Sequence, residues 1–234
     1  MEKLLDEIES YWSTRTEGYS EVNHKELAGT QKNAWLKVLT SQFPDKPKEE
    51  IRILDIGTGP GFFPVILAEA GYHVDAVDYT EGMLEKAKEN AGDLCRNIRF
   101  LRMDAQKLDF EDNTFDVVIS RNLTWNLEHP DVAYREWVRV LKVGGRLLNF
   151  DANWYGYLYE EEQRKAYEND RKNVENNSLD DHYLCTDIER MERIALQVPL
   201  SKISRPQWDV KTLREAGLLG IRTDTEIWKT VWSE

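Results

Sequence analysis

The chain has 234 residues, enough for one α/β domain with an insertion, and carries 31 basic against 43 acidic residues, a net charge of −12. Such a balance repels phosphate backbones and anionic membrane surfaces, which argues against a nucleic-acid substrate and against membrane association. No apolar run reaches the ~20 residues that cross a bilayer. The start, MEKLLDEIESYW, lacks the basic and apolar regions of a signal peptide, and Cys95 and Cys185 have no C-x-x-C partner or histidine cluster. The expectation is a cytoplasmic protein with reduced cysteines and no metal site.

Residues 1–40 read as helical, with YWSTRTEGY between two apolar stretches. From 51 to 150, short β-rich runs alternate with helical patterns, the signature of a parallel sheet with crossover helices. Strands are predicted at 51–56, 73–77, 98–102, 115–120 and 145–150. Helices are predicted from Pro60 to Ala70, from Thr80 to Ala91 with Thr80 as a hydroxyl cap, and from Pro130 to the Gly144-Gly145 turn. Residues 151–205 break the alternation. They open on Trp154, Tyr155, Tyr157 and Tyr159, hold 12 acids against 8 bases, and place Glu160/Arg164 and Glu161/Lys165 at helical spacing, as a helical lid over the sheet would. Asp209 is expected to cap a short helix ending at Gly217, and IRTDTEIWKTVW to form a strand. The fold class is therefore α/β, a Rossmann-like doubly wound, mostly parallel sheet with helices on both faces and a helical lid insertion. It forms a single domain with a cover (1–45), a core (46–150), a lid (151–205) and a C-terminal helix and strand (206–234).

The stretch IRILDIGTGPGF, residues 51–62, runs from a strand through Asp55 into a turn with Gly57, Gly59 and Gly61. Glycine admits positive φ and lets a ligand approach the backbone. A dinucleotide fold wants G-x-G-x-x-G, and Phe62 stands where the third glycine belongs. Asp55 can orient the loop amides or meet a ligand ammonium through water. Nineteen residues after Gly59, the second strand ends in Asp78, where a carboxylate can accept both hydroxyls of a ribose, a role shared with NAD enzymes.

The pattern hydrophobic-Asp-hydrophobic-G-x-G-x-G resembles the first motif of class I S-adenosylmethionine-dependent methyltransferases. Under that resemblance Tyr79 and Met83 flank an adenine, Asp104 takes its amino proton, and the Ala105 amide or Gln106 reaches N1. Strand 115–120 delivers Arg121 and Asn122 to the same edge, beside the sulfonium. FDVVISRNLTWNLEHP resembles the fourth motif of small-molecule methyltransferases related to the ubiquinone and menaquinone biosynthesis enzymes. Many of those carry two histidines where this chain has Trp125 and Asn126. The resemblance covers residues 45–150 and, more weakly, 206–230. It further implies an N-terminal helix over the donor, with Arg15 and Tyr19 near the methionine carboxylate.

The expected function is methyl transfer from S-adenosylmethionine, with no metal, to a small-molecule acceptor by in-line displacement. The alternatives are a donor-binding protein without transfer activity and a NAD-type oxidoreductase. The methylated atom, O, N, S or C, stays open. If a base exists, the candidates are His129, Asp151, Tyr155 and His182. The aromatics and acids of 151–205 suit a cationic or aromatic acceptor.

Overall fold

The computed structural model describes residues 4–177 and 186–232, so His182 and Cys185 lie outside the described residues. Strand β1 (Arg52–Ile56) pairs in parallel with β2 (His73–Asp78) on one side and β4 (Phe115–Arg121) on the other. Strand β3 (Ile98–Arg102) joins β2, and β5 (Leu141–Phe150) joins β4, giving the all-parallel order β3-β2-β1-β4-β5. The chain order reverses between β1 and β4. Such a reversal opens a crevice at the carboxyl ends of the strands, where open α/β sheets bind ligands. Strand β4 is FDVVISR and is buried throughout up to Arg121, as the near-continuous apolar run of a sheet covered on both faces requires.

Helices α1 (Leu4–Ala28) and α2 (Gln31–Thr40) precede the sheet, α3 (Phe62–Glu69) and α4 (Glu81–Ala91) form the first two crossovers, and α5 (Pro130–Val140) joins β4 to β5. One core cluster packs Trp137, Tyr134, Val140 and Leu213 against Leu54, Ile56 and Val118. Another packs Trp35, Leu39, Phe63, Ile66 and Leu67 against Ile53, Val117 and Ile119. The alternation of Ile53, Leu54 and Ile56 between the two clusters follows from the two-residue period of a strand. The sheet is thus covered on both faces.

Several local expectations are corrected. The first crossover helix starts at Phe62, after a turn, and not at Pro60. Thr80 occupies the N-cap of α4 but its hydroxyl makes no cap bond; its amide donates to Asp78 Oδ1 (2.9 Å). Helix α5 ends at Val140, and Gly144 and Gly145 lie inside β5, where the register jumps from Phe115 opposite Leu141 to Val117 opposite Arg146. The glycines form this bulge: a Cβ on Gly145 would stand 2.9 Å from the Asp116 carbonyl.

The segment expected as a final strand has none. Residues 221–227 are irregular and α9 (Trp228–Val231) follows. Its apolar residues are satisfied by packing: Ile221 lies on the first cluster, Ile227 and Val231 on the second. Beyond β5 the chain forms α6 (Glu161–Asn177), α7 (Ile188–Ala195) and α8 (Gln207–Glu215). Glu161 pairs with Lys165 at 2.7 Å as spaced, whereas Arg164 turns back to the Tyr157 carbonyl (3.2 Å). Asp209 is not a cap, because it sits within the first turn of α8 and accepts from Tyr134 and Arg205.

Candidate functional site

A cavity opens at the carboxyl edge of the sheet, at the point where strand order reverses. Its floor is Ile56, Gly57 and Gly59 after β1, and one wall is Val77, Asp78, Tyr79 and Met83. Met103, Asp104, Ala105 and Gln106 follow β3, Arg121, Asn122 and Leu123 follow β4, and Leu5, Ile8, Glu9, Trp12 and Tyr19 of α1 close it from above. A second cavity at the opposite edge, lined by Arg52, His73, Asp75, Arg96 and Arg99, lies at the amino ends of the strands, away from the glycine loop and the strand-end acids.

The glycine loop is closely approached by neighbouring side chains. A Cβ on Gly57 would stand 2.7 Å from Leu123 Cδ2, and one on Gly61, at φ +90°, would stand 3.0 Å from the Ala87 Cβ of α4. Gly61 does not line the cavity; its lack of a side chain lets α4 approach the loop. Gly57 and Gly59 do line it, and Gly59 lies under the Tyr19 ring.

Asp78 holds the loop in place. Its Oδ2 accepts the Gly59 amide (2.8 Å) and its Oδ1 the Thr80 amide, leaving lone pairs on both oxygens for ligand hydroxyls. Burial pushes its pKa above the ordinary carboxylate value, against the pull of those two amides. Asp55 lies beneath the loop, 2% exposed, and does not line the cavity. Desolvation raises its pKa to about 7; the Thr58 hydroxyl nearby opposes the rise without reaching hydrogen-bond geometry, Asp78 adds to it and Arg121 opposes it. Asp55 therefore sits beneath the cavity floor and not on its surface.

After β3, Asp104 Oδ1 accepts the Gln106 amide (2.8 Å) and Gln106 Nε2 (3.1 Å), while Gln106 Oε1 accepts the His129 amide (2.7 Å). The Gln106 side chain is thus a staple between two loops. Asp104 and Ala105 line the cavity, and the Ala105 carbonyl is held by Trp137 Nε1 (2.9 Å). Arg102 bonds the Tyr79 carbonyl (2.9 Å), lies over the Tyr79 ring and reaches Glu9 of α1 (2.7 Å).

Arg121 lines the cavity yet is already occupied. It forms a two-bonded pair with Glu26 of α1, its Nη1 donating to Oε2 at 3.1 Å, and its guanidinium lies over Phe62, Trp35 and Phe63 at 4.9, 5.1 and 5.7 Å. Burial alone would lower its pKa; the Glu26 carboxylate outweighs that and holds it above the ordinary value. Asn122, in the left-handed region at φ 56°, donates its amide to the Phe150 carbonyl (2.8 Å), which fixes the exit of β4 against β5.

Of the two α1 residues expected over the donor, Tyr19 lines the cavity; Arg15 is buried and does not. Sequence reasoning missed Leu5, Ile8 and Trp12, although their spacing with Tyr19 marks one helix face. It also missed Glu9, and Leu123, Asn126, Leu127 and Glu128 after β4.

Of the candidate bases among the described residues, His129, Asp151 and Tyr155, none lines the cavity. His129 is exposed at the N-cap of α5, 3.6 Å from Glu128. Asp151 is locked: its Oδ2 accepts from the Thr124 hydroxyl and the Trp125 amide (2.9 Å) and pairs with Arg205 (2.9 Å), and its Oδ1 accepts from the Ala152 amide (2.8 Å). Tyr155 stacks on Trp125 at 5.0 Å, and Tyr157 stacks on Tyr167 at 4.1 Å, so these rings fill a core cluster with Ile8, Tyr11, Met191 and Ile194 and do not face a substrate.

Residues 54–149 match the family described as "Methyltransferase domain". A demethylmenaquinone methyltransferase of Clavibacter sepedonicus is 41% identical over 98 residues, 42% of this chain and 39% of that protein. The enzyme of the same name from Renibacterium salmoninarum is 31% identical over 148 residues, 63% of this chain and 60% of that one. The chain therefore spans less than two thirds of the length of these relatives. Among solved structures, a candidate S-adenosyl-L-methionine-dependent methyltransferase of Methanococcus maripaludis aligns over 87% of this chain and 82% of its own, with a TM-score of 0.57 and 22% identity, a likeness of fold. In sequence across residues 54–149 this chain is similar to methyltransferases, and in fold across most of its length it is similar to the Methanococcus maripaludis protein.

Proposed function

We propose that the protein transfers a methyl group from S-adenosylmethionine to a small-molecule acceptor by in-line displacement. One observation carries this reading: Gly57 and Gly59, Asp78, and Asp104 with Ala105, from the ends of three successive strands, converge on one cavity. The cavity suits the donor chemically. Asp78 keeps acceptor capacity for a ribose diol, Asp104 for an exocyclic amine, and Ile56, Val77, Met83 and Leu127 offer apolar surface for a heterocycle. In this reading Tyr19 meets the amino acid portion and Arg121 lies on the sulfonium side. The donor supplies an activated methyl group on a sulfonium, so the chain's own task is alignment and exclusion of water. Helix α1 serves that task by covering the glycine loop. A base in contact with the cavity is not required for an acceptor that attacks as a free amine or anion.

The matched segment ends at residue 149, and the acceptor named by the relatives' titles is not carried over with the donor site. In the proposed arrangement the acceptor is chosen by α1 and by residues 122–128, with 151–205 as the lid that supports them. Calorimetry with S-adenosylhomocysteine and NAD, followed by transfer of a labelled methyl group to a panel of amines, phenols and thiols, tests the reading. The expected result is binding of S-adenosylhomocysteine alone and turnover on one acceptor class. Binding of NAD in its place would overturn it.

A further inference from the structure

We infer that Asn126 positions the methyl acceptor, and that the acceptor presents an N–H or O–H group to the Asn126 carbonyl oxygen; the inference rests on the methyl-transfer reading above. Asn126 ends the single 3-10 turn Thr124–Asn126 after β4, lines the cavity and is 4% exposed. Its Oδ1 is buried without a hydrogen-bond donor, and no other cavity-lining side chain among the described residues has a buried polar atom in that condition. The neighbours are engaged: Gln106 by Asp104 and the His129 amide, Asp78 by the Gly59 and Thr80 amides, Glu9 by Arg102, and Arg121 by Glu26.

A buried carbonyl left without a donor costs about 1–3 kcal/mol, and buried polar atoms in folded proteins are nearly always paired. A leucine at this position would remove that cost, and Leu123 and Leu127 beside it also line the cavity. The turn is also held rigidly. Asp151 binds the Thr124 hydroxyl and the Trp125 amide, Trp125 Nε1 donates to the Asn122 carbonyl (3.0 Å), and the Asn126 amide donates to the Leu123 carbonyl (3.0 Å). A rigidly held residue of the cavity wall with a buried, unpaired acceptor is suited to orient an incoming donor group.

A carboxamide does not take a proton at neutral pH, so its part is orientation. The acceptor's electron pair forms the new bond to carbon, the pair of the breaking C–S bond stays on sulfur, and any proton displaced from the acceptor leaves to water. Thiolates and acceptors without a donor hydrogen gain nothing from Asn126.

The test uses the full chain saturated with S-adenosylhomocysteine and two matched probe pairs, phenol with anisole and aniline with N,N-dimethylaniline, read by ligand-observed NMR competition. The wild type should prefer at least one hydrogen-bearing probe over its capped partner by about tenfold, the scale of one hydrogen bond. Asn126→Leu should abolish that preference while keeping S-adenosylhomocysteine affinity within about twofold and leaving Tm unchanged or raised, since it removes an unpaired polar atom. Equal binding of capped and uncapped probes, or binding of none, overturns the inference. So does a large fall in Tm, which marks Asn126 as a folding residue, or a large loss of S-adenosylhomocysteine affinity in the variant alone, which marks it as a donor contact. Failure of the wild type to bind S-adenosylhomocysteine would instead remove the methyl-transfer reading itself.

Discussion

Replacing Asp151 by asparagine separates a structural carboxylate from a catalytic one. The side chains of Asp151 and Arg205 are 1% and 7% exposed, and Arg205 has two counter-charges, Asp151 and Asp209, the latter at 2.7 Å. The same network takes in Tyr134, Thr124 and Asn149. Removing one partner of a buried ion pair costs about 3–5 kcal/mol, because the remaining charge is left in a poorly solvated place. Asp209 still faces Arg205, and asparagine can still accept from the Trp125 amide, so we expect the lower end, about 3 kcal/mol. For a chain of this length that is a fall in Tm of about 6–12 °C. Urea denaturation and a thermal scan read the effect directly, with methyl transfer measured at a temperature where the variant remains folded. An unchanged Tm together with abolished transfer would refute the structural assignment and return Asp151 to the role of base.

Three further outcomes follow from the same geometry. Asp55 carries a folded-state pKa of about 7 against 3.8 unfolded, so the folded state holds a proton the unfolded chain releases, and stability falls as pH rises from about 4 to 7, by roughly 4 kcal/mol at the limit; Asp55→Asn should flatten that slope in denaturation curves at pH 4.5, 6 and 8, and parallel slopes would refute the assignment. Gly61→Ala forces a side chain into φ +90° and against Ala87, which should cost about 1–3 kcal/mol for the backbone alone yet leave S-adenosylhomocysteine affinity of the folded fraction unchanged, since Gly61 does not line the cavity; a selective loss of affinity would count against it. Asp78→Ala should weaken S-adenosylhomocysteine binding about 10- to 100-fold by calorimetry, the scale of hydrogen bonds to a charged group, and an affinity within twofold of wild type would exclude Asp78 from the donor site.

What the sequence made legible was local. Each of the five strands was marked by a run of β-branched and aliphatic residues, and Asp78 and Asp104 by their places at strand exits, because the period of a strand and the chemistry of a turn are written within a few residues. The bulge in β5 was misread as a helix stop, since Gly144-Gly145 punctuates either element and only the Asp116 carbonyl across the sheet decides between them. The final strand was misread for a similar reason: TEIWKTVW alternates, but Ile227 and Val231 are buried against the cluster around Trp35, nearly 200 residues earlier, without pairing to a strand. Arg121 lines the cavity at the exit of a strand the sequence marks, while its buried partner Glu26, 95 positions away, carried no local mark. Long-range pairs between side chains leave no period to read.

The same distinction revises how the insertion shapes the cavity. Among the described residues, 151–205 contribute no lining residue; Tyr155, Tyr157 and Tyr167 pack inward, and Trp154 and Tyr159 are exposed. The insertion acts through α1, whose two halves are held by different partners. The C-terminal half is fixed to the core by Glu26 on Arg121, by Thr16 packed against Gly82 and by Ser20 near Asn90. The N-terminal half, which presents Leu5, Ile8, Glu9 and Trp12 to the cavity, is tied to the core by Arg102 on Glu9 (2.7 Å) and otherwise held by the insertion: Ile8 and Tyr11 pack with Met191, Ile194 and Val198, Ser10 accepts from Arg190 (2.9 Å), and Glu7 from Gln197 (3.3 Å). The exposed polar bonds contribute little individually, so apolar burial sets where that half lies. A change at Met191 or Ile194 therefore reaches the cavity by moving a wall, with no contact to any ligand, while the donor floor of Gly57, Gly59 and Asp78 stays anchored to the sheet.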